Sequence, residues 1–243
     1  MINEAIILCG GLGTRLQSVV SDRPKCLALV GDIPFLHYLI LYLQQQGVHH
    51  FIFSTGYLHE MIETYLAENH AELKYSIAVE SKPLGTGGAI NLAARYAREA
   101  DVLVCNGDTL YLADLPSLAD FHKMHNAVCT LSLKPMQHFD RYGAVVLNED
   151  HSIRSFAEKK YYDSGLINGG TYALNLPVFT AQAPAEVFSF ERDFLERKVA
   201  DGKIRKELYG MVQDAYFIDI GIPADFEKAN KELPGIFKYL KWT

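Results

Sequence analysis

Residues 5–16 of the 243-residue chain read AIILCGGLGTRL, an apolar run followed at once by glycines and an arginine. A short apolar run bounded by glycine is typical of a buried strand. Similar runs recur at His50–Ser54, Tyr75–Val79 and Val102–Cys105. The chain is therefore predicted to open with buried strands, the first of which leads into a glycine-rich turn.

Helical patterns lie between these runs, with apolar residues at helical spacing from Leu36 to Leu43 and from Met61 to Leu66. Alternating strands and helices predict right-handed β-α-β crossovers. The predicted fold class is therefore α/β: a doubly wound, mostly parallel mixed sheet of Rossmann-like type, in a single domain. In such a sheet the ligand crevice lies at the carboxyl ends of the strands.

The second half of the chain has a mixed pattern. Strand-like runs that are expected to extend the sheet lie at Val128–Leu133, Ala144–Leu147, Ile153–Phe156 and Thr171–Leu174. The stretches 134–143 and 159–169 are rich in turn residues and are expected to be loops on the substrate side. A last helix is expected over residues 222–233, with Pro223 at its first helical position.

Composition and charge exclude several classes of function. The apolar fraction of 49% is enough for a substantial core. The net charge is −6 and the 23 basic residues are scattered, so neither nucleic acid nor an anionic membrane is indicated as a partner. No signal peptide or membrane helix is indicated at the N-terminus, so a cytoplasmic location is expected. The 4 cysteines and 9 histidines have no zinc-type spacing.

The glycines after the first strand are suited to binding phosphate. Gly10, Gly11 and Gly13 allow backbone amides to approach a polyphosphate, and Arg15 adds charge-assisted hydrogen bonds. A dinucleotide fingerprint would have glycine where Leu16 stands, and a P-loop would have lysine and then serine or threonine after its last glycine. Both of those nucleotide-binding folds are therefore disfavoured.

A second basic motif, Arg23-Pro24-Lys25, follows the glycine loop. Proline fixes the local backbone, so Lys25 can act as a point charge toward a triphosphate; a solvated lysine is the alternative. The glycine loop with its arginine, followed by this proline-lysine pair, resembles the signature of the sugar-1-phosphate nucleotidylyltransferases, over nearly the whole chain. The resemblance implies that the loop, Arg15 and Lys25 hold a nucleoside triphosphate, and that a sugar 1-phosphate attacks its α-phosphorus and releases pyrophosphate.

Residues 80–89 read ESKPLGTGGA and match the base-binding segment of that family. A carboxylate at Glu80 can accept hydrogen bonds from both N1–H and the exocyclic amine of guanine, whereas uracil and thymine offer one ring N–H there. Gly85, Gly87 and Gly88 are expected to let a purine lie close to the backbone. GTP is therefore favoured. If Glu80 binds a ribose hydroxyl or a lysine instead, a uridylyltransferase remains open.

Two carboxylates follow apolar strands. Asp108 lies just beyond Val102–Cys105, and Asp219 lies within the run 216–220 before Gly221. Asn-Gly-Asp is also an ordinary turn sequence, but by resemblance Asp108 is a magnesium ligand, with Asp219 as the second. Two hard oxygen ligands suit Mg²⁺, which keeps waters and substrate phosphates. Family members often have threonine where Ile222 stands.

The sugar side is indicated by three motifs in the order of the family's sugar-binding half: RYG at 141–143, FAEK at 156–159 and NGGTY at 168–172. Carboxylate, ammonium and amide groups there can bind sugar hydroxyls and the sugar phosphate, although Glu158 and Lys159 are also compatible with a solvated pair. The segment SFERDFL at 189–195 resembles short guanylyltransferases for manno-configured sugars and implies D-glycero-α-D-manno-heptose 1-phosphate. Ser189 is equally suited to be an N-cap.

The predicted site residues form three sets. The catalytic set is Arg15, Lys25, Asp108 and Asp219, and the two aspartates are the predicted Mg²⁺ ligands. The nucleotide-binding set is Leu8, Gly10, Gly11, Gly13, Thr14, Arg15, Lys25, Glu80, Pro83, Gly85, Thr86, Gly87, Asn106 and Gly107. The sugar-phosphate-binding set is Gly143, Glu158, Lys159, Asn168, Gly169 and Thr171. The nucleotide-binding half is expected at about residues 1–126, and the sugar- and metal-binding half at about residues 127–243.

Other functions remain open at this point. Within the enzyme class the alternatives are a mannose-1-phosphate guanylyltransferase and a uridylyltransferase. A non-catalytic nucleotide-sugar-binding regulatory subunit on the same fold is an alternative from another class, and it predicts nucleotide binding without magnesium-dependent turnover. The intact Arg15, Lys25, Asp108 and Asp219 argue against it. A homodimer is compatible with the sequence, which carries no motif for oligomeric state.

Overall fold

The computed structural model describes residues 1–11, 16, 20, 22–200 and 207–239. The strands of this part of the chain are β1 (Glu4–Leu8), β2 (Leu29–Val30), β3 (Ile33–Pro34), β4 (His50–Thr55), β5 (Tyr75–Val79), β6 (Asp101–Asn106), β7 (Thr109–Tyr111), β8 (Cys129–Phe139), β9 (Val145–Leu147), β10 (Ile153–Phe156), β11 (Tyr162–Asn175), β12 (Leu208–Val212) and β13 (Phe217–Asp219). The α-helices are α1 (Phe35–Gln45), α2 (His59–Asn69), α3 (Gly85–Ala93), α4 (Leu115–Met124), α5 (Leu176–Ala181), α6 (Arg197–Ala200) and α7 (Pro223–Tyr239). Short 3-10 helices cover Lys25–Leu27 and Ala94–Tyr96, and a π-helix covers Phe190–Glu196.

Seven strands form one sheet in the order β12-β8-β11-β6-β1-β4-β5. The pairs β6-β1, β1-β4, β4-β5 and β12-β8 are parallel, whereas β11 runs antiparallel to both of its neighbours. The chain moves outward from β1 to β4 and β5, and then returns to the other side of β1 as β6. The predicted doubly wound, mostly parallel mixed sheet is therefore confirmed, and its switch point lies between β1 and β6.

Side chains alternate across the central strands and pack on both faces of the sheet. Ile7 of β1 and Phe53 of β4 lie in one apolar cluster with Leu39 of α1. Ile6, one position away on β1, lies in the opposite cluster with Ile90 of α3. A strand that is covered on both faces needs apolar residues at successive positions. This is why the central strands are continuous apolar runs in the sequence.

Element bounds in the first half agree closely with the sequence pattern. β5 has the predicted bounds, Tyr75–Val79, and β4 extends the predicted run by Thr55 alone. α1 ends at Gln45, before Gly47, where the helical pattern stops. The pattern is clear in β4 because that strand is buried at every position, whereas β5 lies at the edge of the sheet and is only partly buried.

Two stretches that were expected to be loops are largely strand. β8 takes in much of 134–143, and β11 takes in much of 159–169. The two strands pair antiparallel, with Tyr162 opposite Phe139 and Ile167 opposite Lys134. Side chains at Gln137 and His138 are exposed. The β8–β11 ribbon therefore lacks a clear apolar alternation. It is held together by backbone pairing, which the types of its side chains do not reveal.

The last helix, α7, begins at Pro223 as predicted but ends at Tyr239, beyond the expected end at residue 233. Pro234 lies within it, close to the β2–β3 turn, where a β-carbon on Gly31 would be 2.4 Å from Pro234 Cγ. Gly31 N–H donates to Asn230 Oδ1 at 3.0 Å. These contacts attach the helix to the body of the protein. Among the described residues, no helix has the length and apolar character needed to cross a bilayer.

Candidate active site

A cavity of about 760 Å³ opens at the switch point, and we call it the switch-point cavity. Leu8 ends β1 and Asn106 ends β6, and both line it. The turn after β6 is held close to β1, because Gly107 N–H donates to the Leu8 carbonyl oxygen at 3.0 Å. A β-carbon at Gly107 would lie 2.7 Å from that oxygen. Glycine is therefore required where the two strand ends meet.

The glycine loop forms one wall of the switch-point cavity through Gly10 and Gly11. Three predicted loop residues lie outside the described residues, and their roles stay predictions: Gly13, Thr14 and Arg15. Gly10 also leaves room for the Glu80 carboxylate, which the sequence did not indicate: a β-carbon on Gly10 would lie 2.5 Å from Glu80 Oε1. The loop thus packs directly against the predicted base-binding segment.

Lys25 and Asp108 meet at this cavity. Lys25 Nζ lies 2.5 Å from Asp108 Oδ2, and both residues line the cavity. The Lys25 side chain is 13% exposed and the Asp108 side chain 35%, so the ion pair is partly shielded from water. Shielding strengthens the attraction between the charges. The structure thus brings together two predicted catalytic residues that are far apart in the sequence.

Asp219 is delivered to the same place by a two-stranded sheet. β13, which ends at Asp219, pairs antiparallel with β7, which begins directly after Asp108. The pairing continues past the strands, because Ile220 N–H donates to the Asp108 carbonyl oxygen at 3.0 Å. A β-carbon on Gly221 would lie 2.7 Å from Asp219 Oδ1 and 3.1 Å from Lys25 Nζ. Lys25, Asp108 and Asp219 therefore converge around Gly221.

Electrostatics favour a cation at these aspartates. Burial raises the pKa of Asp219, and the charge of Asp108 raises it further, while Lys25 and the Gly221 N–H lower it. Neighbouring carboxylates oppose each other's ionisation, and a cation relieves that repulsion. No group of three or more His, Cys, Asp or Glu side chains suited to a metal occurs in the described residues. A pair of carboxylates fits an ion such as Mg²⁺, which takes its other ligands from water and phosphate.

Glu80 lies just after β5, next to Gly10 of the glycine loop. Its Oε2 accepts a hydrogen bond from Leu84 N–H at 2.8 Å, which orients the carboxylate. Burial raises the pKa of Glu80, and the bond from Leu84 lowers it in part. The predicted base-binding residues that line the switch-point cavity are Glu80, Pro83, Gly85 and Thr86.

Two glycines near the start of α3, Gly87 and Gly88, pack against the segment 186–188. Gly87 N–H donates to the Phe188 carbonyl oxygen at 3.0 Å, and a β-carbon there would lie 2.2 Å from the Phe188 ring. A β-carbon on Gly88 would lie 2.4 Å from the Glu186 carbonyl oxygen. Gly85 lines the cavity, but Gly87 and Gly88 do not. They make room for the segment 186–188, and the expected approach of a purine to their backbone stays a prediction.

A second cavity, of about 900 Å³, lies beside β11, and we call it the β11 cavity. All but one of the predicted sugar-phosphate-binding residues line it: Gly143, Glu158, Lys159, Asn168 and Gly169. Asp219 lines it as well, and Asn106 lines both cavities. The two cavities therefore adjoin at the place where the two aspartates converge.

Thr171 is the predicted sugar-phosphate residue that lines neither cavity. It lies in β11 opposite Cys105 of β6 and is 5% exposed. Burial raises the pKa of the Cys105 thiol to about 12, and a hydrogen bond with Thr171 lowers it in part. The structure thus places Thr171 in the core beneath the site.

Several residues outside the predicted sets also line the cavities, among them Arg141, Tyr142 and Glu191. Arg141 and Tyr142 line the β11 cavity, and Glu191 lines both. Arg141 Nη1 pairs with Asp225 Oδ2, and its guanidinium carbon lies 5.4 Å from the centre of the Tyr142 ring. Burial raises the pKa of Tyr142, and the nearby Asp219 raises it further. The sequence could have indicated them, because Arg141 and Tyr142 lie in the RYG motif and Glu191 lies in the SFERDFL motif.

Residues 4–235 match the model of a protein family described as nucleotidyl transferase. The chain belongs to this nucleotidyl transferase family. The match spans both cavities, and it confirms the family and the nucleotidyl-transfer chemistry that the glycine loop and the paired aspartates predicted.

Relatives of this nucleotidyl transferase cover nearly its whole length. It is 50% identical over 230 residues to a D-glycero-alpha-D-manno-heptose 1-phosphate guanylyltransferase of Aneurinibacillus thermoaerophilus, covering 95% of this chain and 98% of that one. It is 41% identical over 223 residues to a protein of the same name from Campylobacter jejuni, covering 92% and 96%. The crystal structure of HddC from Yersinia pseudotuberculosis matches with a TM-score of 0.85 and 36% identity, over 96% of this chain and 100% of that one. A structure of HddC complexed with GMP-PN matches with a TM-score of 0.84.

Proposed function

We propose that this nucleotidyl transferase transfers GMP from GTP to D-glycero-α-D-manno-heptose 1-phosphate, giving the GDP-sugar and pyrophosphate. The observation that carries the proposal is the 50% identity to a heptose 1-phosphate guanylyltransferase over 95% of this chain. The arrangement of two adjoining cavities with a carboxylate pair at their junction supports it. A transferase that joins two phosphate-bearing substrates needs such a junction, because the reacting phosphates must approach each other.

The switch-point cavity is the proposed GTP site. Glu80 supports the choice of guanine, because its fixed carboxylate has lone pairs left for the two N–H groups on one edge of that base. Uracil offers one ring N–H at the corresponding edge, so it leaves part of the carboxylate unsatisfied. GMP-PN in the HddC structure is a guanine nucleotide. The glycine loop and Arg15 are proposed to hold the triphosphate.

The β11 cavity is the proposed site of the sugar 1-phosphate. Lys159 is proposed to pair with the phosphate, and Glu158 and Asn168 to bind sugar hydroxyls. Arg141 adds a second cation on this wall, although it pairs with Asp225 in the present arrangement. Groups of this kind bind a polar sugar by hydrogen bonds that fix its orientation, which is what in-line attack requires.

The proposed reaction is a direct displacement. An oxygen of the sugar 1-phosphate forms a bond to the α-phosphorus of GTP, and the bond from that phosphorus to the bridging oxygen of the β-phosphate breaks. Pyrophosphate leaves with that oxygen and its electron pair. Lys25, which pairs with Asp108, is proposed to stabilise charge around the α-phosphate, and Arg15 is proposed to stabilise the departing pyrophosphate. No covalent enzyme intermediate is needed.

Asp108 and Asp219 are proposed to hold Mg²⁺. Bound there, the ion supplies positive charge to the reacting phosphates. The raised pKa of Asp219 supports this assignment, since it reflects a buried carboxylate next to another carboxylate. The cytoplasmic location and the homodimer stay predictions from the sequence. Size-exclusion chromatography with light scattering tests the homodimer.

The test is pyrophosphate release with Mg²⁺, measured for GTP, UTP, dTTP, CTP and ATP, each with D-glycero-α-D-manno-heptose 1-phosphate or mannose 1-phosphate. Release with GTP and the heptose phosphate, and much less with the other pairs, is the expected result. Preference for mannose 1-phosphate or for UTP would overturn the sugar or the base assignment while keeping the reaction class. Nucleotide binding without release from any pair would overturn the catalytic proposal in favour of a regulatory subunit.

A further inference from the structure

Glu191 lies at the boundary between the two cavities and is held by three hydroxyl groups. Its Oε2 accepts hydrogen bonds from Thr86 Oγ1 at 2.9 Å and from Ser189 Oγ at 3.3 Å. Its Oε1 accepts from the Tyr172 hydroxyl at 3.4 Å. An ionised carboxylate only accepts hydrogen bonds, so each of these hydroxyls must direct its hydrogen at Glu191.

The direction of these bonds fixes the next contact. A tyrosine hydroxyl has one hydrogen, and Tyr172 directs it at Glu191, so the Tyr172 oxygen can only accept from any other neighbour. That neighbour is Asn168, whose Nδ2 donates to Tyr172 at 2.8 Å. Asn168 Oδ1 in turn accepts from Gly170 N–H at 3.0 Å. Both ends of the Asn168 amide are thereby assigned.

We call the hydrogen-bonded chain Glu191–Tyr172–Asn168 the relay. Burial keeps the Tyr172 hydroxyl of this relay protonated. Tyr172 is fully buried, and its ring packs edge-on against Phe190 with the ring centres 5.1 Å apart. Burial raises the pKa of Tyr172 well above its usual value, and the charge of Glu191 raises it further. The hydroxyl therefore stays protonated and able to donate near neutral pH.

We propose that Glu191 and Tyr172 are positioning residues, which orient the Asn168 amide so that its second N–H and second lone pair face the sugar 1-phosphate in the β11 cavity. Without the relay, the nitrogen end of the amide loses its acceptor, and only the bond from the Gly170 N–H to Asn168 Oδ1 still holds the side chain. This proposal rests on the proposed function for the identity of the ligand in that cavity. The other end of the relay is Thr86, at the start of α3, whose Oγ1 also accepts from Phe190 N–H at 2.8 Å.

The first variant is Tyr172→Phe, which removes the hydroxyl and keeps the ring. We expect the KM for the sugar 1-phosphate to rise about tenfold, the effect of one lost hydrogen bond of about 1.4 kcal/mol, with the KM for GTP unchanged. The matched control is Tyr38→Phe. Tyr38 is also buried and packs edge-on against a phenylalanine, Phe237, and its hydroxyl donates to the Val30 carbonyl oxygen at 2.9 Å, but it lines neither cavity. Thermal unfolding of both variants measures the loss of stability separately from the change in KM.

A double-mutant cycle with Asn168→Ala separates a relay from a merely structural role. If Tyr172 acts through Asn168, then Tyr172→Phe raises the KM for the sugar phosphate in the wild-type background and has no further effect in Asn168→Ala. The relay would be overturned if the increases in the KM for the sugar phosphate caused by the two single substitutions multiplied in the double variant. It would also be overturned if Tyr172→Phe left that KM unchanged in the wild-type background. Glu191→Gln places an amide donor against hydroxyl donors and is expected to raise the KM for both substrates, because it disturbs Thr86 as well as Tyr172. A KM for the sugar phosphate that stays unchanged in Glu191→Gln would also overturn the relay.

A readout without turnover keeps this test distinct from the proposed function. In the NMR spectrum of the folded protein, Tyr172→Phe is expected to shift the side-chain amide signals of Asn168 and to speed their hydrogen exchange, whichever sugar the enzyme uses. Tyr38→Phe is expected to leave them in place. Unchanged Asn168 signals in Tyr172→Phe would contradict the relay, whereas absent turnover in the wild-type protein would contradict only the proposed function.

Discussion

Gly221 gives a direct test of the convergence of Lys25, Asp108 and Asp219. Replacing it with alanine places a β-carbon 2.7 Å from Asp219 Oδ1 and 3.1 Å from Lys25 Nζ. Its backbone does not adopt the positive-φ conformation that disfavours alanine. The strain of the substitution therefore falls on the two charged side chains and not on the main chain.

The size of the effect follows from these distances. An ordinary contact with a β-carbon begins near 3.4 Å, so the Asp219 carboxylate must move by roughly 0.7 Å. Displacements of about 1 Å in a reacting group reduce rates by about 100-fold. We therefore expect Gly221→Ala to lower kcat by about 100-fold, with a smaller effect on the KM for GTP, because the base is bound elsewhere, at Glu80.

The assay is pyrophosphate release at saturating GTP, sugar 1-phosphate and Mg²⁺, together with thermal unfolding. The control is Gly235→Ala, since a β-carbon on Gly235, in α7, meets nothing within 4 Å. This control is expected to keep the wild-type kcat. A folded Gly221→Ala protein with the kcat of the wild type would refute the view that these side chains must keep their present positions for catalysis.

Three further predictions concern binding and stability. Burial raises the pKa of Glu80, and guanine binding needs the ionised carboxylate, so the KM for GTP is expected to rise as the pH falls through that raised pKa. Glu80→Gln is expected to lose this pH dependence. It is also expected to lower the preference for GTP over UTP, measured as kcat/KM, by about 1 to 3 kcal/mol. Burial raises the pKa of Glu4, but hydrogen bonds from two backbone N–H groups and His50 leave this pKa below its usual value. Glu4→Gln is therefore expected to lower the free energy of unfolding by roughly 3 kcal/mol near neutral pH. Urea unfolding should show this difference shrinking as the pH falls through the lowered pKa of Glu4. Gly87→Ala places a β-carbon 2.2 Å from the Phe188 ring and is expected to destabilise the protein by about 1 to 3 kcal/mol, seen as a lower Tm; an unchanged Tm would show that the segment 186–188 moves away at no cost.

The fold was predictable where the sheet is buried on both faces. Continuous apolar runs gave β4 nearly to the residue, because every side chain there is buried. They also gave the bounds of β5, although this edge strand is only partly buried and Val79 is exposed. The long β8–β11 ribbon was missed for the opposite reason. Its outer part has exposed residues such as Gln137 and His138, so the backbone pairing leaves no apolar period to read.

The site was predictable where a residue ends a strand. Asp108 and Asp219 follow apolar runs, and parallel and antiparallel pairing brings such ends together. The reason for Gly87 and Gly88 was not predictable, because it depends on Phe188 and Glu186, about one hundred positions away. Glu191 lies in a π-helix whose partners come from β11 and α3, and a single sequence does not reveal such contacts.

The most direct test of the account is the rate of GDP-sugar formation by Asp219→Asn, measured with saturating GTP, D-glycero-α-D-manno-heptose 1-phosphate and Mg²⁺. Asp120→Asn, which changes an exposed aspartate of α4, is the matched control and is expected to retain the wild-type rate. Because the proposed centre has two carboxylates, the loss of one is expected to reduce the rate by about 100-fold or more while the protein stays folded. A folded Asp219→Asn protein that forms the GDP-sugar as fast as the wild type would contradict the assignment of the two aspartates as the metal centre.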